Sequence, residues 1–208
     1  MSSHAEYPRT LESWAKAQHL GLTLVFTDIV DSTAIGIKLG DNVWIDDLFI
    51  HFEEARLIAS QFDHFVVKVI GDSLMMAFRT SSEAVRFALQ FATGTGVDHI
   101  GIRVGINSGE VQIRENDIYG LNVNFTSRVQ HAEPVEGILV SNSVKRDYEK
   151  TLGSTSGVTF SKKRRTLKSF GEEDLRKVRS PLLTEAVKNQ REARRKLLGI
   201  PKVPSWMI

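Results

Sequence analysis

The chain of 208 residues contains no cysteine. That excludes disulfides and thiolate metal centres, and it fits a reducing compartment. No apolar run approaches the roughly 20 residues that a membrane-spanning helix needs. The first twenty residues have neither the basic n-region nor the apolar h-region of a secretory leader. Charge of one sign is also scarce: the net charge is only +2, so no global field draws the chain to nucleic acid or to a membrane. Internal repeats and low-complexity tracts are missing too. These absences predict a soluble, cytoplasmic protein with no nucleic-acid or membrane partner. Hydrophobic residues make up 41% and charged residues 25%, ordinary values for a globular domain, and the length suffices for one sizeable core with short tails.

The segment GLTLVFTDI (21–29) is a near-continuous apolar run and predicts a buried strand that ends on polar residues. A helical stretch follows, capped by Ser32 or Thr33, with Trp44, Leu48, Phe52, Ala55 and Ile58 at helical spacing. Residues 64–78 read as strand, tight turn at Gly71-Asp72, and strand. A helix fits 81–93, with Ala84, Phe87, Ala88 and Phe91 on one face. Residues 99–113 predict a second hairpin turning near Asn107-Ser108-Gly109. The stretch 116–134 starts as a loop and becomes a helix closed by Pro134. A strand at 137–141, a helix over 142–150 and two short strands near 157–161 and 164–168 complete the pattern, with the basic cluster 162–165 read as a solvated loop. Residues 1–20 read as a lead-in, 21–178 as one folded domain, and 179–208 as a basic tail. The tail's helix packs its apolar side on the domain, and Trp206, Met207 and Ile208 either dock or fray. Frequent hairpins among interleaved helices predict an α+β fold with a mainly antiparallel sheet.

Asp28 and Asp72 stand 44 residues apart, one at a strand end and the other in a hairpin turn. Two carboxylates brought together this way suit hard divalent cations such as Mg²⁺ or Mn²⁺. Taken singly, Asp72 also fits a simple Ile-Gly-Asp turn, and Asp28 a helix N-cap. Asn124 and Arg128, four residues apart, share one face of a helix.

The blocks FTDIVDST (26–33), KVIGDSLMMAF (68–78), RVGINSGEV (103–111), DIYGLNVNFTSR (117–128) and TLKSFG (166–171) together resemble the class III adenylyl/guanylyl cyclase family in order and spacing. The resemblance covers 21–178 and implies the family's ferredoxin-like fold and a substrate that is a nucleoside triphosphate, closed to a 3′,5′-cyclic monophosphate. It implies that Asp28 and Asp72, with the carbonyl of Ile29, hold two divalent metal ions, Mn²⁺ or Mg²⁺. One of these activates the ribose 3′-hydroxyl and the other holds the leaving pyrophosphate. Asn124 and Arg128 match the pair that orients the ribose and stabilises charge on the α-phosphate, a catalytic role. Arg103 and Lys168 match the phosphate-binding cations, although Lys168-Ser169 departs from the family's usual Lys-Gly. The resemblance also implies a homodimer with shared sites.

Lys68 and Asp117 match the base-selecting positions. Lysine donates to adenine N1 and aspartate accepts from N6, which favours ATP. Cytosine presents the same edge, and uracil meets it after a shift. As a bare catalytic domain the chain also resembles the pyrimidine cyclases of Pycsar antiphage systems, which make cUMP or cCMP. A non-catalytic nucleotide-binding relative would normally have lost metal or transition-state positions, and Asp28, Asp72, Asn124 and Arg128 are all present. The signature of diguanylate cyclases is absent.

Overall fold

The computed structural model describes residues 10–201, apart from the side chains at 154 and 155. The expectation for Trp206, Met207 and Ile208 lies outside the described residues, as does the start of the lead-in. The fold is built on β1 (His19–Ile29), whose apolar run buries both faces. Leu22 and Leu24 enter one core cluster, and Val25 and Ile29 enter another. This period-two split is why the segment reads as continuous apolar sequence rather than as clean alternation.

Around β1 lie β2 (His64–Ile70), β3 (Ser73–Phe78), β4 (Ile102–Arg114), β5 (Asp117–Tyr119), β6 (Gly137–Val140), β7 (Thr159–Leu167) and β8 (Gly171–Arg179). The sheet order is β2-β3-β1-β4-β6-β8-β7, with β5 paired to β4. Every described pairing is antiparallel except β4 with β6. The protein is thus α+β, as the hairpin pattern predicts. Seven α-helices lie among the described residues: α1 (Leu11–Ala15), α2 (Ser32–Leu39), α3 (Asp41–Ala59), α4 (Ser81–Thr93), α5 (Leu121–His131), α6 (Asn142–Leu152) and α7 (Pro181–Leu198). One face is covered by α3, α4 and α6, which enclose the larger core around Phe78, Phe87 and Phe91. The other carries α1 and α5, with Trp14, Met75 and Ile118 buried there. No helix among the described residues is long and apolar enough to cross a membrane.

Several local expectations need correction. Asn107-Ser108-Gly109 is not a turn: β4 runs straight through it, paired to Leu22–Leu24 of β1. The chain reverses instead at Glu115 and Asn116, both at positive φ (50° and 59°), as a tight hairpin turn requires. The long helical stretch breaks at Gly40, where φ is 80°. Its first turn is preceded by Asp31, not capped by Ser32 or Thr33. The two short strands at 157–168 are one strand, β7, paired along its length with β8. The basic cluster 162–165 therefore lies in an edge strand, where Lys162 reaches Asp174 at 2.7 Å. Charges on an edge strand discourage pairing with a second chain. The tail helix, by contrast, packs on the domain as expected: α7 buries Leu183, and Gln190 Nε2 donates to the Ala92 carbonyl at 3.0 Å.

Candidate active site

Antiparallel pairing of β1 with β3 sets Thr27 opposite Leu74, so the end of β1 lies beside the β2–β3 turn. Gly71, at φ 61°, permits that tight turn. Asp28 and Asp72 are thereby brought to one end of the sheet, and Ser73 Oγ donates to Asp28 Oδ1 at 3.3 Å. Across the β1–β4 ladder Asp28 faces Arg103, and the guanidinium Nη2 is in ion-pair contact with Asp28 Oδ2. Ile29 closes the strand and is buried. Asp72 Oδ2 is buried with no hydrogen-bond partner among the described residues. A buried carboxylate oxygen left unpaired costs roughly 1–3 kcal/mol, so its retention calls for a ligand. Two hard oxygen donors of this kind fit Mg²⁺ or Mn²⁺, ions that take one or two carboxylates and complete their shell from phosphate oxygens. Consistent with that sparse protein ligation, no group of three metal-ligating side chains converges among the described residues.

The second cluster lies on the α1/α5 side. A β-bulge between Val66 and Lys68 shifts the register of β2 and re-aims the lysine. Lys68 Nζ meets Asp117 Oδ2 at 2.5 Å. Three strands separate β2 from β5 in the sheet, yet Val67 and Ile118 share one core cluster, so the sheet curls to bring β2 towards β5. Asp117 Oδ1 accepts from the Ile118 amide at 2.8 Å, which fixes the carboxylate.

The third group rides on α5 and the β7–β8 turn. Two glycines let α5 lie close on β4. A Cβ at Gly105 would sit 2.3 Å from the Gln130 nitrogen, and one at Gly109 would sit 2.5 Å from the Asn122 side chain. Asn122 Nδ2 donates to the Glu110 carbonyl at 2.8 Å and locks that contact. With Thr126, Val129 and Gln130 buried, Asn124 is exposed and Arg128 half-buried. Their side chains have no hydrogen-bond or ion-pair partner among the described residues, so they make none with the carboxylates or with the Lys68–Asp117 pair. Lys168 is exposed in the β7–β8 turn. Phe170 packs edge-to-face on Phe125 at 5.1 Å and holds that turn against α5.

The structure therefore pairs Asp28 with Arg103 beside the turn that carries Asp72, and separately pairs Lys68 with Asp117. It leaves Asn124 and Lys168 exposed and Arg128 half-buried, apart from both pairs. Ser73 and Asn122, which orient these groups, carry no sequence signal of their own. The two largest cavities described, about 700 and 690 Å³, lie along α7 and away from these residues. The candidate site is an open face, and the chemistry of its residues identifies it better than concavity does.

A family model described as the adenylate and guanylate cyclase catalytic domain matches residues 15–168. The adenylate cyclase of Streptomyces coelicolor is 28% identical over 134 residues, covering 62% of this chain and 35% of that protein. The adenylate cyclase of Streptomyces griseus is 30% identical over 84 residues, covering 39% of this chain and 21% of its own length. The chain thus spans only about a fifth to a third of the length of these two relatives. Among solved structures, a Trypanosoma brucei adenylate cyclase in its monomeric state superimposes with a TM-score of 0.68. The identity is 18%, with 76% of this chain and 87% of that chain covered, a likeness of fold.

Proposed function

Because the chain belongs to the adenylate and guanylate cyclase catalytic-domain family, we propose that it converts a nucleoside triphosphate, ATP, into its 3′,5′-cyclic monophosphate. The ribose 3′-oxygen forms a bond to the α-phosphorus, the bond from that phosphorus to the bridging oxygen breaks, and pyrophosphate leaves. The observation that carries this reading is the buried Asp72 carboxylate oxygen, without a partner among the described residues, in the turn next to the Ser73 that donates to Asp28. Asp28, Asp72 and the Ile29 carbonyl would hold two divalent ions. Such ions, when bound, neutralise triphosphate charge and lower the pKa of the attacking hydroxyl. Arg103 and Lys168 bind the β- and γ-phosphates. Asn124 orients the ribose, and Arg128 meets the charge that develops on the α-phosphate.

Lys68 and Asp117 read the base, the ammonium donating to N1 and the carboxylate accepting from N6. Their contact at 2.5 Å supports a joint role. The adenylate cyclases among the relatives support ATP. That Asn124 and Arg128 bond neither the carboxylates nor the Lys68–Asp117 pair among the described residues supports a symmetric homodimer in which each protomer completes its partner's site.

Incubation with ATP, GTP, CTP and UTP in turn, with Mn²⁺, tests the reading by product identity. Cyclic AMP and pyrophosphate from ATP are expected. A product from UTP or CTP alone would replace ATP with a pyrimidine substrate and place the chain with the antiphage cyclases. No cyclic product from any of the four would sink the cyclase reading.

A further inference from the structure

The segment that follows the proposed metal ligands of β1 is held from both sides. Its backbone is fixed by the Val30 amide, which donates to the Gly101 carbonyl at 2.9 Å. Asp31 comes next, in the left-handed region at φ 60°, where β1 ends and α2 begins. Side chains with a Cβ resist that conformation, and aspartate tolerates it better than most. An aspartate preceding a helix ordinarily caps it through its carboxylate. Asp31 makes no such bond. Its Oδ2 instead accepts from Arg194 Nε at 3.0 Å, reaching a residue 163 positions later on α7.

Arg194 is buried, and it also contacts Glu136 through Nη2. Glu136 is buried as well and takes a second bond, from Arg191 Nε at 2.6 Å. Burial pushes the Glu136 carboxyl up, but the hydrogen bond from Arg191 and the charge and hydrogen bond of Arg194 outweigh it and hold the group below the usual carboxylate range. The cluster fits around Gly101, where a Cβ would stand 2.5 Å from Glu136 Cγ and 3.1 Å from Arg194 Nη1. The residue that receives the Val30 amide therefore also makes room for the arginine. Anchoring α7 needs only Glu136, Arg191 and Arg194. The bond to Asp31 adds little to that task, since the Asp31 side chain is half-exposed and its charge is screened by solvent.

We propose that Arg194 is a positioning residue for the metal-binding end of β1: it holds Asp31 in the left-handed turn and so sets the aim of the Asp28 carboxylate and the Ile29 carbonyl. The helix α7, which lies beyond the residues matched by the family model, is then a working part of the site. This inference rests on the cyclase reading of Asp28, Ile29 and Asp72.

The test is Mn²⁺ binding to the full chain without nucleotide, read by the electron paramagnetic resonance of free Mn²⁺, with far-UV circular dichroism as a check on folding. Asp31→Ala removes both the carboxylate and its tolerance of positive φ, and is expected to weaken binding about tenfold, as loss of an outer-shell partner commonly does. Asp31→Asn keeps both an acceptor oxygen for Arg194 and tolerance of positive φ, and is expected to stay within about threefold of wild type. Arg194→Lys is expected to bind more tightly than Arg194→Met. Asp31→Ala tests the inference even if loss of Arg194 prevents folding. A folded Asp31→Ala protein with wild-type Mn²⁺ affinity would overturn the inference. If Asp28→Ala binds Mn²⁺ as wild type does, the failure lies in the metal-site reading on which it rests.

Discussion

Lys68 Nζ and Asp117 Oδ2 meet at 2.5 Å, although β2 and β5 lie at separate places in the sheet. Their side chains are 39% and 26% exposed, so the pair contributes at most about 1 kcal/mol to folding. Binding is another matter, because a hydrogen bond to a charged group is worth about 1.5–3 kcal/mol. Asp117→Ala is therefore expected to lower kcat/KM for ATP by about 10- to 100-fold and to relax base selectivity, with little change in Tm. Steady-state kinetics with all four triphosphates, run beside a thermal melt, check both halves.

Asp72 predicts the reverse relation between stability and activity. Its Oδ2 is buried and unpaired among the described residues. Without metal, Asp72→Ala removes that desolvated oxygen and is expected to stabilise the fold by about 1 kcal/mol while abolishing Mn²⁺-dependent turnover. Urea unfolding in EDTA measures the first effect and a cyclase assay the second. Destabilisation in EDTA would mean that the carboxylate serves the turn and not a cation.

These two sites differ in how far the sequence foretells them. Asp72 follows a glycine in a turn between two apolar strands, a local pattern. β1 announces itself because both of its faces are buried. β8 does not: Gly171–Arg179 is mostly charged, only Leu175 and Val178 are buried, and the strand exists because β6 and β7 pair with it. Gly109 misled for a related reason. A glycine that frees φ and one that makes room for a helix look alike in sequence, and here the need for space comes from α5. The Arg194–Asp31 contact joins residues 163 positions apart, with no local trace at either end.

Gly105→Ala tests the docking of α5 on β4. The added Cβ would lie 2.3 Å from the Gln130 nitrogen and 2.6 Å from its Cα, backbone atoms that cannot rotate away. A loss of roughly 1–3 kcal/mol or more is expected from such overpacking, with a fall in kcat as Asn124 and Arg128 move. Gly21→Ala is the control, since its Cβ meets only Glu110 Oε1 at an ordinary 3.5 Å. Equal melting temperatures for the two variants would refute the close-approach argument.

Shared sites make a quantitative prediction about mixing. Asp72→Ala and Asn124→Ala, each inactive alone, place both lesions in one site of a heterodimer and leave the other intact. If half of the dimers re-form as heterodimers after equal mixing, about a quarter of wild-type activity returns. Recovery near zero, with heterodimers demonstrated by differential tagging, would show that each protomer carries its own complete site.

The last prediction concerns acid stability and rests on His51, which lies buried in α3 against Phe91 at 4.6 Å. Burial lowers its pKa from 6.5 to about 4, against the opposing hydrogen bond to the Thr95 carbonyl and the charge of Asp72. Between those two values the unfolded chain takes up a proton that the folded chain refuses. Stability from this group is thus whole above pH 6.5 and is lost as the pH falls towards 4, by roughly 3 kcal/mol in all. His51→Phe keeps the ring packing and removes the titration, at the cost of about 1 kcal/mol for the lost bond to Thr95. Wild type is therefore expected to be the more stable protein at pH 7 and the less stable near pH 4, where the two urea-unfolding free energies have crossed. Parallel pH profiles for the two proteins would show that His51 is charged in the native state and that burial does not govern it.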